Sequence, residues 1–194
     1  MNNYPEYVEV NGRKYKINTD FRIAIRCNQI ATDETIGDFE RALGIIVTLF
    51  GEDSINYQED YETLLKLAKK YLSCGKELEN TNEEPDMDYI EDYSYIKTSF
   101  RSDYGINLDK ESMHWWEFYD LMNGLSNSEI GNCCILNRIR NLRNYDISKI
   151  EDQQERNEII KAKNQVALNK HKKETEITKK QQQSVDEFYK ALGF

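Results

Sequence analysis

The side chains of this sequence that could do chemistry are few, and none stands in a recognised catalytic or metal-binding motif. The candidates are two histidines and four cysteines: His114, His171, Cys27, Cys74, Cys133 and Cys134. The cysteines show no CxxC spacing, and two of them are adjacent, which is a poor arrangement for a chelate or a disulfide. A zinc-protease HEXXH motif, a GxSxG elbow and the glycine-rich phosphate loops are all absent from the sequence. The sequence therefore predicts no enzyme, no cofactor and no metal.

Charged side chains are abundant but are not placed like ligands. Residues 77–92 carry eight Asp and Glu with no Lys or Arg, and residues 161–180 carry seven Lys against two Glu. The stretch EEPDMD at 83–88 lacks the alternating oxygens, the central glycine and the distal glutamate of a calcium loop. Three arginines share the segment RIRNLR: Arg138, Arg140 and Arg143. They either bind an acidic partner or offset nearby acids.

One dense aromatic stretch stands out in an otherwise polar chain. The segment SMHWWEFYDLMNGLSN at 112–127 contains both tryptophans and one of the two histidines. Asp109 or Ser112 is predicted to cap a helix over 112–124 that is apolar on most sides, and its default role is core, with a ligand pocket as the alternative. We hypothesise that Trp116 and Tyr119 face the core, whereas Trp115 and Phe118 lie nearer the surface and contribute to a groove.

Composition points to a mainly helical protein. The 194 residues include nine Gly and two Pro, 39% are hydrophobic and 31% are charged. The net charge of −9 argues against a nucleic-acid partner, because phosphate binding needs clustered Lys and Arg. The most apolar run, IIVTLF at 45–50, is too short to span a membrane, and the first residues lack a signal-peptide pattern. We expect a cytoplasmic protein with no membrane partner.

Local patterns predict the secondary structure. The stretch YVEVNGRKYKIN at 7–18 predicts a β-hairpin, since Asn11-Gly12 suits a type I′ turn, and Val8, Val10, Tyr15 and Ile17 are expected to face inward. Helical spacing then predicts six helices: from Thr19 or Asp20 to Ile30, from Thr32-Asp33 to Phe50, and over about 58–74, 88–104, 112–124 and 128–143. Gly51 is placed to end the second helix, and Ser126 or Ser128 is predicted to start the sixth. The predicted fold is an N-terminal hairpin packed on a compact helical domain.

Composition also predicts the domain organisation. Residues 1–150 form the compact domain, within which 77–88 is an acidic surface linker, and residues 151–194 form either a polar extended helix or a flexible tail. The last residues regain amphipathic character, with Val185, Phe188, Tyr189 and Leu192 on one side of a helix. They are either a partner-binding peptide or a frayed end.

Several stretches in this order resemble a known family. They are VNGRKYKINTDFR, YGINL followed by HWWEF, then GLS, and finally YDISKI. Together they resemble small proteins of tailed bacteriophages and of prophages in Gram-positive bacteria, a family named after its fifteenth gene product. The resemblance covers about residues 5–163, so the Lys- and Gln-rich end of the chain lies outside it.

This resemblance implies a tail-morphogenesis protein, encoded just ahead of the tape-measure protein and working in the cytoplasm of the bacterial host. Its implied role is an assembly chaperone that keeps the tape-measure protein soluble and helps to recruit tail-tube subunits. The alternative is a structural tail or head–tail component that stays in the virion; a regulator of host defence and an enzyme are the weaker options. The oligomeric state stays open. The residues expected to bind the partner are Trp115, Phe118, Arg138, Arg140, Arg143, Phe188, Tyr189 and Leu192.

Overall fold

The computed structural model describes residues 4–77, 85–128 and 132–169, and it confirms a mainly helical fold with an N-terminal hairpin. The described residues form two strands and seven α-helices: β1 (Tyr7–Val10), β2 (Arg13–Lys16), α1 (Phe21–Thr32), α2 (Asp38–Phe50), α3 (Tyr61–Leu72), α4 (Tyr93–Tyr104), α5 (Trp115–Asn123), α6 (Ile135–Asn144) and α7 (Gln153–Val166). Short 3-10 turns lie at Glu52–Asn56, Gln58–Asp60 and Ile147–Lys149.

The chain divides into two compact units. The first contains Met1–Glu83 and Ser99–Leu125, and the second contains Glu84–Thr98 and Ser126–Phe194. The predicted compact domain over 1–150 stays a prediction. Within the predicted tail, α7 is helical, whereas 170–194, with the amphipathic stretch around Phe188, Tyr189 and Leu192, lies outside the described residues.

The hairpin has the predicted turn. Its two strands are antiparallel, with Val10 opposite Arg13, and both turn residues have positive φ, 50° at Asn11 and 76° at Gly12. Positive φ at both central positions defines the type I′ turn, which is why Asn-Gly is found there. Three of the four residues expected to face inward are buried, namely Val10, Tyr15 and Ile17, and Val8 is half-buried.

Helix α1 is the centre of the first unit, packing against α2 and α5. Asp20 begins α1 by accepting the N–H of Arg22 at 2.9 Å. Helices α1 and α2 approach closely where Gly44 faces Ile30, since a Cβ at Gly44 would lie 3.2 Å from the Ile30 Cγ2 atom. Gly51, with φ of 87°, ends α2 as the sequence predicts.

Five helix starts differ from the predictions, and that of α5 is described with the functional site. Helix α2 begins at Asp38 instead of Thr32-Asp33, because Asp33 forms a local turn by accepting the N–H of Thr35. Phe39 therefore falls in the first turn of α2 and is 65% exposed. Short turns likewise delay α3 to Tyr61 and α4 to Tyr93. Helix α6 begins at Ile135, and its cap is the Cys134 thiol instead of Ser126 or Ser128.

A fully buried carboxylate attaches the hairpin to the start of α3. Asp60 has no solvent exposure, and it accepts hydrogen bonds from Asn11 Nδ2 at 2.6 Å, Arg13 NH1 at 2.8 Å and Tyr15 Oη at 2.6 Å. These bonds, the one from Tyr15 first, hold the pKa of Asp60 below its usual 3.8 despite burial. Burial of the Tyr15 side chain, together with its hydrogen bond to Asp60, raises the pKa of Tyr15 to about 12.

A second buried carboxylate organises the second unit. Asp92 is 1% exposed and accepts two hydrogen bonds from the Arg143 guanidinium, at 2.6 and 2.7 Å. Arg143 also donates to the carbonyls of Asp86 at 2.9 Å and Val166 at 2.7 Å. One side chain of α6 thus fixes the segment before α4 and the end of α7. Paired burial of this kind leaves an uncompensated charge if either partner is removed.

We predict that Tyr15→Phe weakens the fold at neutral pH, and that this loss of stability shrinks as the pH falls below 3.8. A carboxylate whose folded pKa is depressed stabilises the protein above its unfolded pKa, and that contribution is lost as the pH falls through the folded value. Removing the largest cause of the shift raises the folded pKa of Asp60 toward 3.8. Urea denaturation from pH 7 to pH 3 measures this difference.

The control for Tyr15→Phe is Tyr61→Phe. The Tyr61 hydroxyl donates to the Ile55 carbonyl at an exposed site. For Tyr61→Phe we expect a stability difference that is the same at pH 7 and at pH 3. If the difference for Tyr15→Phe is also the same at both pH values, Asp60 is not the group responsible.

We also predict that Arg143→Ala destabilises the second unit by roughly 3–5 kcal/mol, since it leaves the buried Asp92 carboxylate without the guanidinium that neutralises it. Arg138→Ala is the matched control, because Arg138 is exposed on the same helix, and we expect a change within about 0.5 kcal/mol. Thermal and urea denaturation measure both variants. Equal stabilities would contradict the assignment of Arg143 as the organising residue.

Candidate functional site: an open cleft beside the aromatic helix

His114 caps the aromatic helix α5, which begins at Trp115. Its Nδ1 atom accepts the N–H of Trp116 at 3.0 Å, so the ring hydrogen lies on Nε2. That atom is 3.2 Å from the Pro5 carbonyl and 3.5 Å from the Tyr71 hydroxyl. The predicted caps, Asp109 and Ser112, are wrong because α5 begins three residues after Ser112. His114 therefore holds the start of α5 in place.

The burial hypothesis for the aromatic residues is wrong. Trp115 is 1% exposed and Phe118 is fully buried. Phe118 is stacked on Phe21 at 4.6 Å and on Phe100 at 5.1 Å between ring centroids, and the Trp115 indole donates to the Leu72 carbonyl at 3.0 Å. Neither residue is available for a partner, so both leave the set of predicted partner-binding residues.

Trp116 and Tyr119 are the half-buried pair instead. The Trp116 indole donates to the Tyr71 carbonyl at 2.9 Å, and the Lys76 ammonium lies 4.6 Å from the centre of the Tyr119 ring. Tyr4 covers part of this side by stacking on His114 at 4.8 Å. The two faces of α5 have equal aromatic content, so the sequence could not show which one was buried.

An open cleft of about 850 Å³ adjoins the start of α5. Three segments line it: residues 16–20 from the end of β2 to the cap of α1, residues 47–52 around the end of α2, and residues 112–114 before α5. Backbone hydrogen bonds connect the three segments. Phe21 donates to the Met113 carbonyl at 3.1 Å and Trp115 donates to that of Thr19 at 2.8 Å. Asn18 donates to the Leu49 carbonyl at 2.8 Å, which joins the first wall to α2.

The cleft combines apolar and polar groups. Ile17 and Leu49 are buried beneath it, while Val47 and Met113 are half-buried along it. Its charged and titratable side chains are Lys16, Glu52, Asp20 and His114. Asp20 is occupied as the cap of α1 and pairs with Arg22 at 3.0 Å. Such a surface suits a partner segment that is apolar on one side and polar on the other.

Three of the four cysteines have structural surroundings, and His171 lies outside the described residues. Burial raises the pKa of the Cys27 and Cys74 thiols to about 12, which keeps both protonated near neutral pH. The Cys134 thiol accepts the N–H of Asn137 as a helix cap. Within the described residues, no three His, Cys, Asp or Glu side chains are grouped so that they could hold a metal ion.

The three arginines of RIRNLR have different environments. Arg143 pairs with buried Asp92, as described above, and its side chain is only 10% exposed, so it is not a surface group for a partner. Arg140 is half-buried and pairs with Asp86 at 3.1 Å. Two of the three therefore offset nearby acids, which was one of the two alternatives for this segment. Arg138 is exposed, and its partner-binding role stays a prediction.

Sequence inspection did not identify the cleft. Its residues come from three separated segments, and most of them are common types such as Thr19, Thr48 and Ser112. The Thr19-Asp20 cap signal and the stop signal at Gly51 marked the ends of two elements that border it. Which element ends meet in space depends on tertiary packing, for which the sequence carried no local signal.

The fold and the cleft define a class: a small, mainly helical protein with an N-terminal hairpin and an open cleft on its first unit. The chain belongs to the Bacteriophage Gp15 protein family, whose model matches residues 1–168, and it is thus a phage protein. No match was found among curated proteins or among solved structures. In the described part of the chain, no helix has both the length and the apolar character needed to cross a bilayer.

We predict that Phe118→Ala costs about 3–5 kcal/mol of stability, because it removes the ring between Phe21 and Phe100. Phe39→Ala is the matched control: Phe39 is largely exposed on α2, and we expect a change of about 0.5 kcal/mol or less. Urea denaturation gives both values. A stable, folded Phe118→Ala protein would restore the original hypothesis that this residue lies near the surface.

Proposed function

We propose that this phage protein is a tail assembly chaperone that binds the tape-measure protein and keeps it soluble during morphogenesis in the bacterial cytoplasm. The observation that carries the proposal is the open cleft on the first unit of a family member, with apolar and polar groups along the same walls. The likeness of the sequence to tail-morphogenesis proteins supplies the partner.

The physical requirement of such a chaperone supports the proposal. A tape-measure protein is a long, mostly helical rod, and an apolar stripe on a helix aggregates when nothing covers it. A chaperone needs a surface that accepts this stripe and an outer face that keeps the complex in solution. The cleft offers the first, with Val47 and Met113 beside polar groups, and the net charge of −9 offers the second.

A binding role suits the chemistry of the cleft better than catalysis. The histidine on its rim, His114, uses Nδ1 to cap α5 and places Nε2 beside the Pro5 carbonyl. The acid on the α1 wall, Asp20, is also occupied as a cap. A general base has to be held within reach of its substrate. The free carboxylate of the cleft, Glu52, is exposed just after the end of α2 and belongs to no recognised catalytic motif. We therefore propose that the protein is not an enzyme.

The test is co-expression with the long helical protein encoded immediately downstream. We expect that neighbour to aggregate alone, to stay soluble with this protein, and to be retained on it in a pull-down. Phe118→Ala is the folding-defective control, and Phe39→Ala controls for general loss of apolar surface. A neighbour that is soluble alone and does not bind would contradict the chaperone role.

Purified virions distinguish a chaperone from a structural tail or head–tail component. An assembly factor is released, so we expect mass spectrometry of the particles to find this protein absent or far below the abundance of tail-tube subunits. Stoichiometric amounts in the particle would favour the structural alternative.

A further inference from the structure

We propose that the end of α2 within the cleft binds a lysine or arginine side chain, carried by a partner segment whose apolar side packs against Val47 and Met113. This inference rests on the proposed function, because it specifies the chemistry of the segment that the chaperone would hold. It arises from the backbone groups and charges at one wall of the cleft, residues 47–52.

Some of the last carbonyls of α2 lack a hydrogen-bond donor among the described residues. A helix leaves its final carbonyls without intrahelical donors, and together they carry a partial negative charge. Here Gly51 donates to the Val47 carbonyl and Asn18 to that of Leu49. The described residues supply no donor to the carbonyls of Thr48 and Phe50, and both residues line the cleft. A cationic N–H donor satisfies such acceptors.

The charged residues next to this helix end are acidic. The last turn of α2 contains no basic residue, so its dipole is not compensated from within the helix. Glu52 lies two residues after Phe50, the last residue of α2. It is exposed and makes no ion pair with any described residue. This wall therefore concentrates negative charge in a partly enclosed space, where a charge-assisted hydrogen bond is stronger than on an open surface.

The other charged groups of the cleft lie on other segments. Asp20 is neutralised by Arg22. His114 precedes α5, and Lys16 is exposed on β2. Lys16 limits how many basic residues the partner segment carries, since a second cation near Lys16 is repelled. The favoured segment has one basic side chain for the α2 end, and its apolar side chains follow at helical spacing.

Two synthetic peptides of about fourteen residues test the charge preference. Both carry the same leucines at helical spacing; one has a single lysine flanking the apolar face, and the other has glutamate at that position. Fluorescence anisotropy with the full chain measures their affinities. We expect the lysine peptide to bind at least about fivefold more tightly, with the difference shrinking at high salt. Equal affinities, or no binding of either peptide, would overturn the proposal.

Two pairs of variants locate the binding site. Glu52→Lys reverses the charge at the α2 end, and Glu158→Lys makes the same change on exposed α7 in the second unit. Thr48→Trp fills the cleft, and Thr63→Trp adds the same ring on the exposed side of α3. We expect the two cleft variants to weaken lysine-peptide binding about fivefold or more and the two controls to stay within about twofold. Equal weakening by Glu52→Lys and Glu158→Lys would mean a general charge effect and would overturn the assigned site.

Co-expression separates this inference from the proposed function. If the wild-type chain and all four variants keep the downstream protein soluble, the chaperone role stands and the cleft is not its binding surface. If the wild-type chain fails to solubilise that protein, the chaperone role fails, and the peptide measurements still decide the chemistry of the cleft. Circular dichroism and thermal melts of each variant confirm that the compared proteins are folded.

Discussion

The first unit depends on one buried charge, the carboxylate of Asp60. A two-stranded hairpin is marginal in water and has to be held by something else. Burying a carboxylate is costly unless hydrogen bonds satisfy it. The chain meets both requirements at once, because Asn11, Arg13 and Tyr15 of the hairpin all donate to Asp60 at the start of α3. Since β2 leads directly into residues 16–20, this interaction also positions the first wall of the cleft.

Local rules predicted the parts of the fold that local rules control. The Asn11-Gly12 turn, the Asp20 cap and the Gly51 stop each involve a few adjacent residues, and each occurs where the sequence indicated. The fates of charged residues could not be predicted in this way. Asp92 lies in the acidic stretch over 77–92 and in the helix predicted over 88–104, yet it is buried against Arg143, 51 residues along the chain. Composition counts charges but does not show which one receives a distant partner.

The aromatic helix illustrates the same limit. Helical spacing placed aromatic residues on adjacent faces of α5, and only the neighbours of a face decide whether it is buried. Phe21 and Phe100 supply those neighbours for Phe118. The cleft was harder still to predict, since it consists of element ends instead of a motif. Segments at such ends commonly carry function, because a rigid scaffold positions them while their backbone groups stay available.

The aromatic residues and the cleft are physically connected even though they do different work. Phe21 is the first residue of α1 and Phe118 lies in the first turns of α5, so their stacked rings fix the two helix starts that border the cleft. The backbone bonds from Phe21 to Met113 and from Trp115 to Thr19 then set the spacing of two walls. A binding surface made of helix ends and short connections needs such support, because preorganised groups bind without the cost of being ordered. The aromatic cluster, whose predicted default role was core, therefore lies beside the cleft as the core that keeps its walls in place.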